Sequence, residues 1–123
     1  MIKPEEYMSS PVVTATPQES LAQMAAVMDE KNIGCLVVMQ EDTLAGIVTE
    51  RDILRKVLAH GKDVDHVRAQ DIMTKDVFTV QKDATLMEVA ALMKQHSFRR
   101  ILVMDETRPV GIITSRDLIG LLV

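Results

Sequence analysis

The chain has 123 residues, 47% of them hydrophobic and 26% charged, with a formal net charge of −4. That is the balance of one compact globular domain, or of two very small ones sharing a core, and it excludes a disordered or low-complexity chain. The negative charge removes any general pull toward nucleic acid or anionic lipid, and the single cysteine, Cys35, excludes an internal disulfide.

No signal peptide, transit peptide or long apolar run stands out, so a cytoplasmic protein without membrane contact is expected. In chain order, Val12-Val13-Thr14 predicts a short β-branched strand. Ser20-Leu-Ala-Gln23 has the form of a capping box. Behind it Leu21, Met24, Ala25 and Met28 follow helical spacing, and the helix should end near Asn32. The runs Cys35–Met39 and Leu44–Val48 predict two buried strands around a polar turn, followed by a helix over Glu50–His60. The polar segment Gly61–Gln70 then joins to a second series. Val77-Phe78-Thr79 predicts a strand, and Thr85-Leu-Met-Glu88 a capping box. Leu86, Val89, Ala90 and Met93 predict a helix ending near Ser97. Ile101–Met104 and Val110–Ile113 predict strands, and Ser115–Leu122 a last helix.

The second series repeats the first at an offset of about 65 residues, with no gap from Met8 to Leu54. Met8-Ser-Ser-Pro-Val-Val-Thr14 falls on Met73-Thr-Lys-Asp-Val-Phe-Thr79. Gly46-Ile-Val-Thr-Glu-Arg-Asp52 falls on Gly111-Ile-Ile-Thr-Ser-Arg-Asp117. The expected organisation is a repeat over residues 8–60, a linker over 61–70 and a second repeat over 71–123. Each half is too small to bury much core alone, so an α/β (α+β) fold is expected, with two pseudo-symmetric βαββα units packed as one module. The methionines lie mostly on predicted apolar faces and read as core.

The Gly-x-x-Thr-x-x-Asp pattern carries the chemistry. The glycine permits close backbone approach or a strained angle. The threonine stands where strand gives way to helix, where free N–H groups and its hydroxyl can meet a phosphate. The aspartate, one turn on, can accept hydrogen bonds from a vicinal diol such as a ribose. Thr-x-x-Asp is equally a capping box, and that structural reading stays open.

On these paired motifs, the Met-Ser/Thr-x-x-Val lead-in segments and their spacing, the chain resembles a tandem CBS-domain pair, or Bateman module. It is similar to the regulatory inserts of IMP dehydrogenases and to the nucleotide-sensing subunit of the AMP-activated kinase. The resemblance spans about Met8 to Leu122. It implies two clefts between the repeats that take adenosyl ligands: AMP, ADP or ATP, and in some members S-adenosylmethionine or a dinucleotide such as NAD(H). In the main cleft it implies ribose binding by Asp117, phosphate binding by Thr114 with Arg116, and packing of Ile112 on the adenine. Ser10, Ile33 and Gly34 would close the base pocket. In the second cleft Asp52, Thr49, Arg51 and Ile47 take these roles, opposite Lys75 and Phe98.

The clefts are expected to be unequal. Phe98-Arg99-Arg100 leads into a strand of the second repeat, where nucleotide-binding members often carry basic residues, and arginine suits bidentate phosphate recognition. Ile33-Gly34-Cys35 holds that place in the first repeat without charge. The alternative for Arg99 and Arg100 is surface charge or an ion pair with Asp105 or Glu106.

No enzyme is expected. His60, His66 and His96 lack metal-ligand spacing, Cys35 reads as a small core residue, and there is no nucleophile elbow, P-loop or Rossmann glycine string. The expectation is a regulatory module that needs no cofactor, senses an adenine nucleotide and acts on an unknown protein in trans. The resemblance also implies a homodimer, for which Leu118, Ile119, Leu121 and Leu122 could supply an apolar strip. A dimerisation scaffold with vestigial clefts and a nucleic-acid binder are the alternatives, the negative charge counting against the latter.

Overall fold

The computed structural model describes residues 2–96 and 100–123. The first repeat runs β1 (Thr14–Ala15), α1 (Leu21–Lys31), β2 (Cys35–Gln40), β3 (Thr43–Thr49) and α2 (Glu50–Lys56). A short helix, α3 (Ala69–Ile72), precedes β4 (Thr79–Gln81), α4 (Leu86–His96), β5 (Arg100–Asp105), β6 (Arg108–Thr114) and α5 (Ser115–Gly120). Two three-stranded sheets result, ordered β1-β2-β3 and β4-β5-β6. In each, the first strand pairs parallel with the second across a helix, and the second and third form an antiparallel hairpin. The register slips once in each hairpin, between Val38 and Met39 and between Val103 and Met104, so the duplication extends to the irregularities.

Local chemistry explains the boundaries. Ser20 caps α1: Gln23 N–H donates to its hydroxyl at 3.1 Å, and Gln23 Oε1 accepts from Ser20 N–H at 2.9 Å. Asn32 ends the helix in the left-handed region, φ 52°. At α4 the Thr85 hydroxyl accepts from Glu88 N–H at 3.1 Å. The expected end of that helix at Ser97 lies outside the described residues. The two lead-in strands lie later than predicted, at Thr14 and Thr79 rather than Val12 and Val77, because parallel pairing with Val37 and Leu102 selects the paired residues. The predicted helix over Glu50–His60 stops at Lys56 and continues after Val57 as a separate 3-10 turn, Leu58–His60.

By its contacts the chain forms two compact units, Val13–Asp76 and the residues up to Val12 together with Val77–Val123. The lead-in of each repeat therefore belongs with the other repeat's sheet. Ser9 exchanges backbone hydrogen bonds with Ile112, at 2.8 and 3.0 Å, and Thr74 does the same with Ile47, at 2.8 and 3.0 Å. In the Val13–Asp76 unit Leu21, Met24 and Met28 pack with Leu36, Val38 and Val48. The core also takes in Val67 and Ala69, from the stretch read in the sequence as a polar joining segment. In the other unit Val89 and Met93 pack with Ile101, Val103, Ile113 and Tyr7. Cys35 is half-buried rather than fully buried in the core.

The Tyr7 hydroxyl is buried with no hydrogen-bond partner among the described residues, and burial pushes its pKa up. An unsatisfied buried hydroxyl is destabilising by about 1 kcal/mol or more. Tyr7→Phe is expected to raise the unfolding free energy by about 1 kcal/mol, read as a higher urea midpoint at unchanged slope; a lower midpoint would mean that the hydroxyl is satisfied in solution.

Candidate functional site

The two Thr-x-x-Asp motifs occupy equivalent places, each threonine ending the third strand of its sheet and each aspartate one turn into the following helix. Each is a capping box in part. Thr49 N–H donates to Asp52 Oδ2 at 2.9 Å, and Asp52 N–H donates to Thr49 Oγ1 at 3.1 Å. Thr114 N–H donates to Asp117 Oδ2 at 2.8 Å, and the Thr114 hydroxyl donates to the same oxygen at 3.2 Å. One carboxylate oxygen of each aspartate is thus committed to its own helix. The capping and ligand-binding readings then differ only in what the other oxygen does.

There the motifs part. Asp52 is buried, and its Oδ1 accepts the Thr74 hydroxyl at 3.0 Å and pairs with Lys56 Nζ at 3.0 Å. Burial pushes the Asp52 carboxyl up, but the Thr49 N–H, the Lys56 ammonium and the Thr74 and Thr49 hydroxyls outweigh it. Its pKa therefore lies below the ordinary carboxylate value. Asp117 is half-buried, and its Oδ1 accepts no hydrogen bond among the described residues. Leu121 stands at the position equivalent to Lys56, and Ser9 at the position equivalent to Thr74.

Other expected residues gather around Thr114 and Asp117. Arg100 opens β5 directly opposite Thr114 in the ladder, exposed and without an ion pair among the described residues. Asp105, its alternative partner, is held instead by Lys82 at 3.3 Å and Arg108 at 3.2 Å. Ile112 lies two residues before Thr114 on β6, and the Ser9–Ile112 bridge places Ser10 in the same unit. Arg116 is exposed in the first turn of α5. Arg99 and Phe98 lie outside the described residues.

Ile33 and Gly34 belong to the Val13–Asp76 unit. They line a cavity of about 370 Å³ there, with Met28, Asp29, Glu50 and Ile53 among the other walls. A Cβ at Gly34 would collide with the Glu50 carboxylate. Thr49, Asp52, Ile47, Arg51 and Lys75 share this unit; Asp52 and Ile47 are buried, whereas Arg51 and Lys75 are exposed. The position opposite Thr49 is held by Cys35, so no charge faces that threonine across the ladder.

α2, with seven residues, and α5, with six, are both shorter than expected. Sequence reasoning also missed Lys56 and Thr74. The signal for Lys56 was present, an acid and a base four apart on a predicted helix in a place where the repeat has leucine. No sequence signal linked Thr74 to Asp52.

Among the described residues, no three His, Cys, Asp or Glu side chains group to hold a metal ion, and no helix is long and apolar enough to cross a membrane. Comparison with known proteins gives a match to the CBS domain over residues 5–59 and 69–123. An uncharacterized protein of Methanopyrus kandleri is 38% identical over 110 residues, 88% of this chain and 56% of that protein's length. Hypoxic response protein 1 of Mycobacterium tuberculosis is 33% identical over 119 residues, 96% of this chain and 83% of its own. A crystal structure of Hypoxic Response Protein I, described with two coordinated zinc ions, has a TM-score of 0.80 at 32% identity and covers 98% of each chain. The structure of a conserved Pyrococcus horikoshii protein has a TM-score of 0.83 at 30% identity, covering 98% of this chain and 91% of the other. With both repeats matched and the fold shared at this identity, the chain belongs to the CBS-domain family, as a tandem pair.

Proposed function

We propose that the chain is a non-enzymatic regulatory module that binds an adenosyl nucleotide at the Thr114/Asp117 motif and acts on a partner protein in trans. The observation that carries this reading is Asp117 Oδ1, an acceptor that meets no donor among the described residues. An ionised carboxylate is a strong acceptor for a ribose hydroxyl, and Arg100 opposite Thr114 supplies a guanidinium for the phosphate. Ile112 and Ser10, from the same unit, are the nearest candidates for contact with the base. The family supports the ligand class, since CBS pairs are regulatory modules of the nucleotide-sensing type. The ligand can bias that partner only by its differential affinity for two states of the module.

The test is thermal unfolding against AMP, ADP, ATP, S-adenosylmethionine, NADH and GTP. A site filled at about 100 times its dissociation constant adds roughly 2.7 kcal/mol, a shift of several degrees. An adenosyl ligand should give that shift in the wild type and in Asp52→Asn, and none in Asp117→Ala. The competing reading is a dimerisation scaffold, favoured by the exposure of Ile119 (60%) and Leu122 (86%). No shift with any ligand, together with a dimeric mass, would replace the first reading by the second.

A further inference from the structure

Among the differences between the two copies next to the motif is Lys56 in the first and Leu121 in the second. We propose that Lys56 is a built-in occupant of the first repeat's motif, which it closes to ligand, so that the chain takes a single nucleotide, at the second repeat. This rests on the reading of the Thr114/Asp117 motif as a nucleotide site.

A lysine ammonium has three donors and no acceptor. Those of Lys56 meet three oxygens: Asp52 Oδ1 at 3.0 Å, the Ile72 carbonyl at 2.8 Å and Thr74 Oγ1 at 3.4 Å. The spacing favours the pair, because an acid four residues N-terminal to a base on a helix is the better orientation. Asp52 Oδ1 also accepts the Thr74 hydroxyl at 3.0 Å, so the oxygen that a ribose hydroxyl would need already has two donors. A neutral diol could enter only by displacing the ammonium's ion pair with the carboxylate, and by leaving the Ile72 carbonyl without the Lys56 donor. In the second motif the Leu121 side chain has no donor to offer, and the equivalent oxygen accepts no hydrogen bond among the described residues.

The experiment is calorimetric titration with AMP of the wild type, Asp117→Ala, and Asp117→Ala carrying either Lys56→Leu or Lys56→Gln, with circular dichroism to check folding. Lys56→Gln keeps an N–H donor for the Ile72 carbonyl while removing the charge, and so guards against a Lys56→Leu chain that fails to fold. The wild type should bind one equivalent, and Asp117→Ala at least tenfold more weakly. The double variants should regain one equivalent, which Asp52→Asn then removes. Two equivalents in the wild type, one of them lost in Asp52→Asn, would overturn the role of Lys56. So would folded double variants that bind nothing while the wild type binds one. If the wild type binds no AMP but Lys56→Leu alone binds one equivalent through Asp52, the inference stands and the Thr114/Asp117 reading fails. If neither binds, both fail.

Discussion

Asp52→Ala is expected to destabilise the protein by about 3 kcal/mol, and Asp117→Ala by about 1 kcal/mol, although the two aspartates hold the same place in a duplicated motif. Asp117 loses only its bonds from the Thr114 N–H and hydroxyl, roughly the worth of a helix cap. Asp52 is buried, and its loss also strips Lys56 and Thr74 of their shared acceptor, which loosens α2 from the segment around Ile72–Thr74. Urea denaturation of the two variants measures the difference; equal losses would mean that the Lys56–Thr74 contacts contribute nothing. The lowered Asp52 pKa adds a pH signature. The unfolded chain takes up the proton near pH 4 while the folded chain still holds Asp52 ionised. The stabilisation is therefore complete at neutral pH and is lost as the pH falls below about 4, through the lowered folded value. An Asp52→Asn chain, lacking this group, should have a flatter stability profile over that acid window than the wild type.

Gly46→Ala is expected to cost about 2–3 kcal/mol and Gly111→Ala clearly less. Neither glycine has a positive φ; both are needed for close approach. A Cβ at Gly46 would lie 2.6 Å from the Thr74 carbonyl oxygen. That oxygen is fixed by accepting the Ile47 N–H at 3.0 Å, while Thr74 N–H donates to the Ile47 carbonyl at 2.8 Å, so relief means breaking the bridge. A Cβ at Gly111 would meet the Met8 side chain, which can change rotamer. Denaturation midpoints of the two alanine variants decide this, and a Gly111 variant as unstable as the Gly46 one would show that Met8 is as rigid as backbone.

Much of the fold is legible in the chain because its signals are local. Leu21, Met24 and Met28 recur at helical spacing and are all buried; Ser20 and Gln23 form the expected cap; and the hairpin strands lie within a few residues of their apolar runs. The lead-in strands were harder to place. Two- and three-residue strands have little pattern of their own and start where a neighbouring strand offers partners. The stretch 61–70 looked like a linker because most of it is polar, yet Val67 and Ala69 are buried in the core with Leu21, Met24 and Leu36.

The site divides in the same way. The duplicated Gly-x-x-Thr-x-x-Asp pattern, with both threonines at the N-caps of their helices, and the basic charge at Arg100 where the first repeat has Cys35, were determined by the sequence alone, since each depends on residues close in the chain or on the repeat offset. Only the tertiary structure decided that the two aspartates are in different states. Asp52 meets Thr74 across 22 residues of chain, and Lys56 meets the Ile72 carbonyl across 16, contacts that arise because the lead-in of the second repeat crosses the first repeat's sheet. Hydrogen bonds of that range follow from where the folded backbone passes, which no local pattern of residues contains.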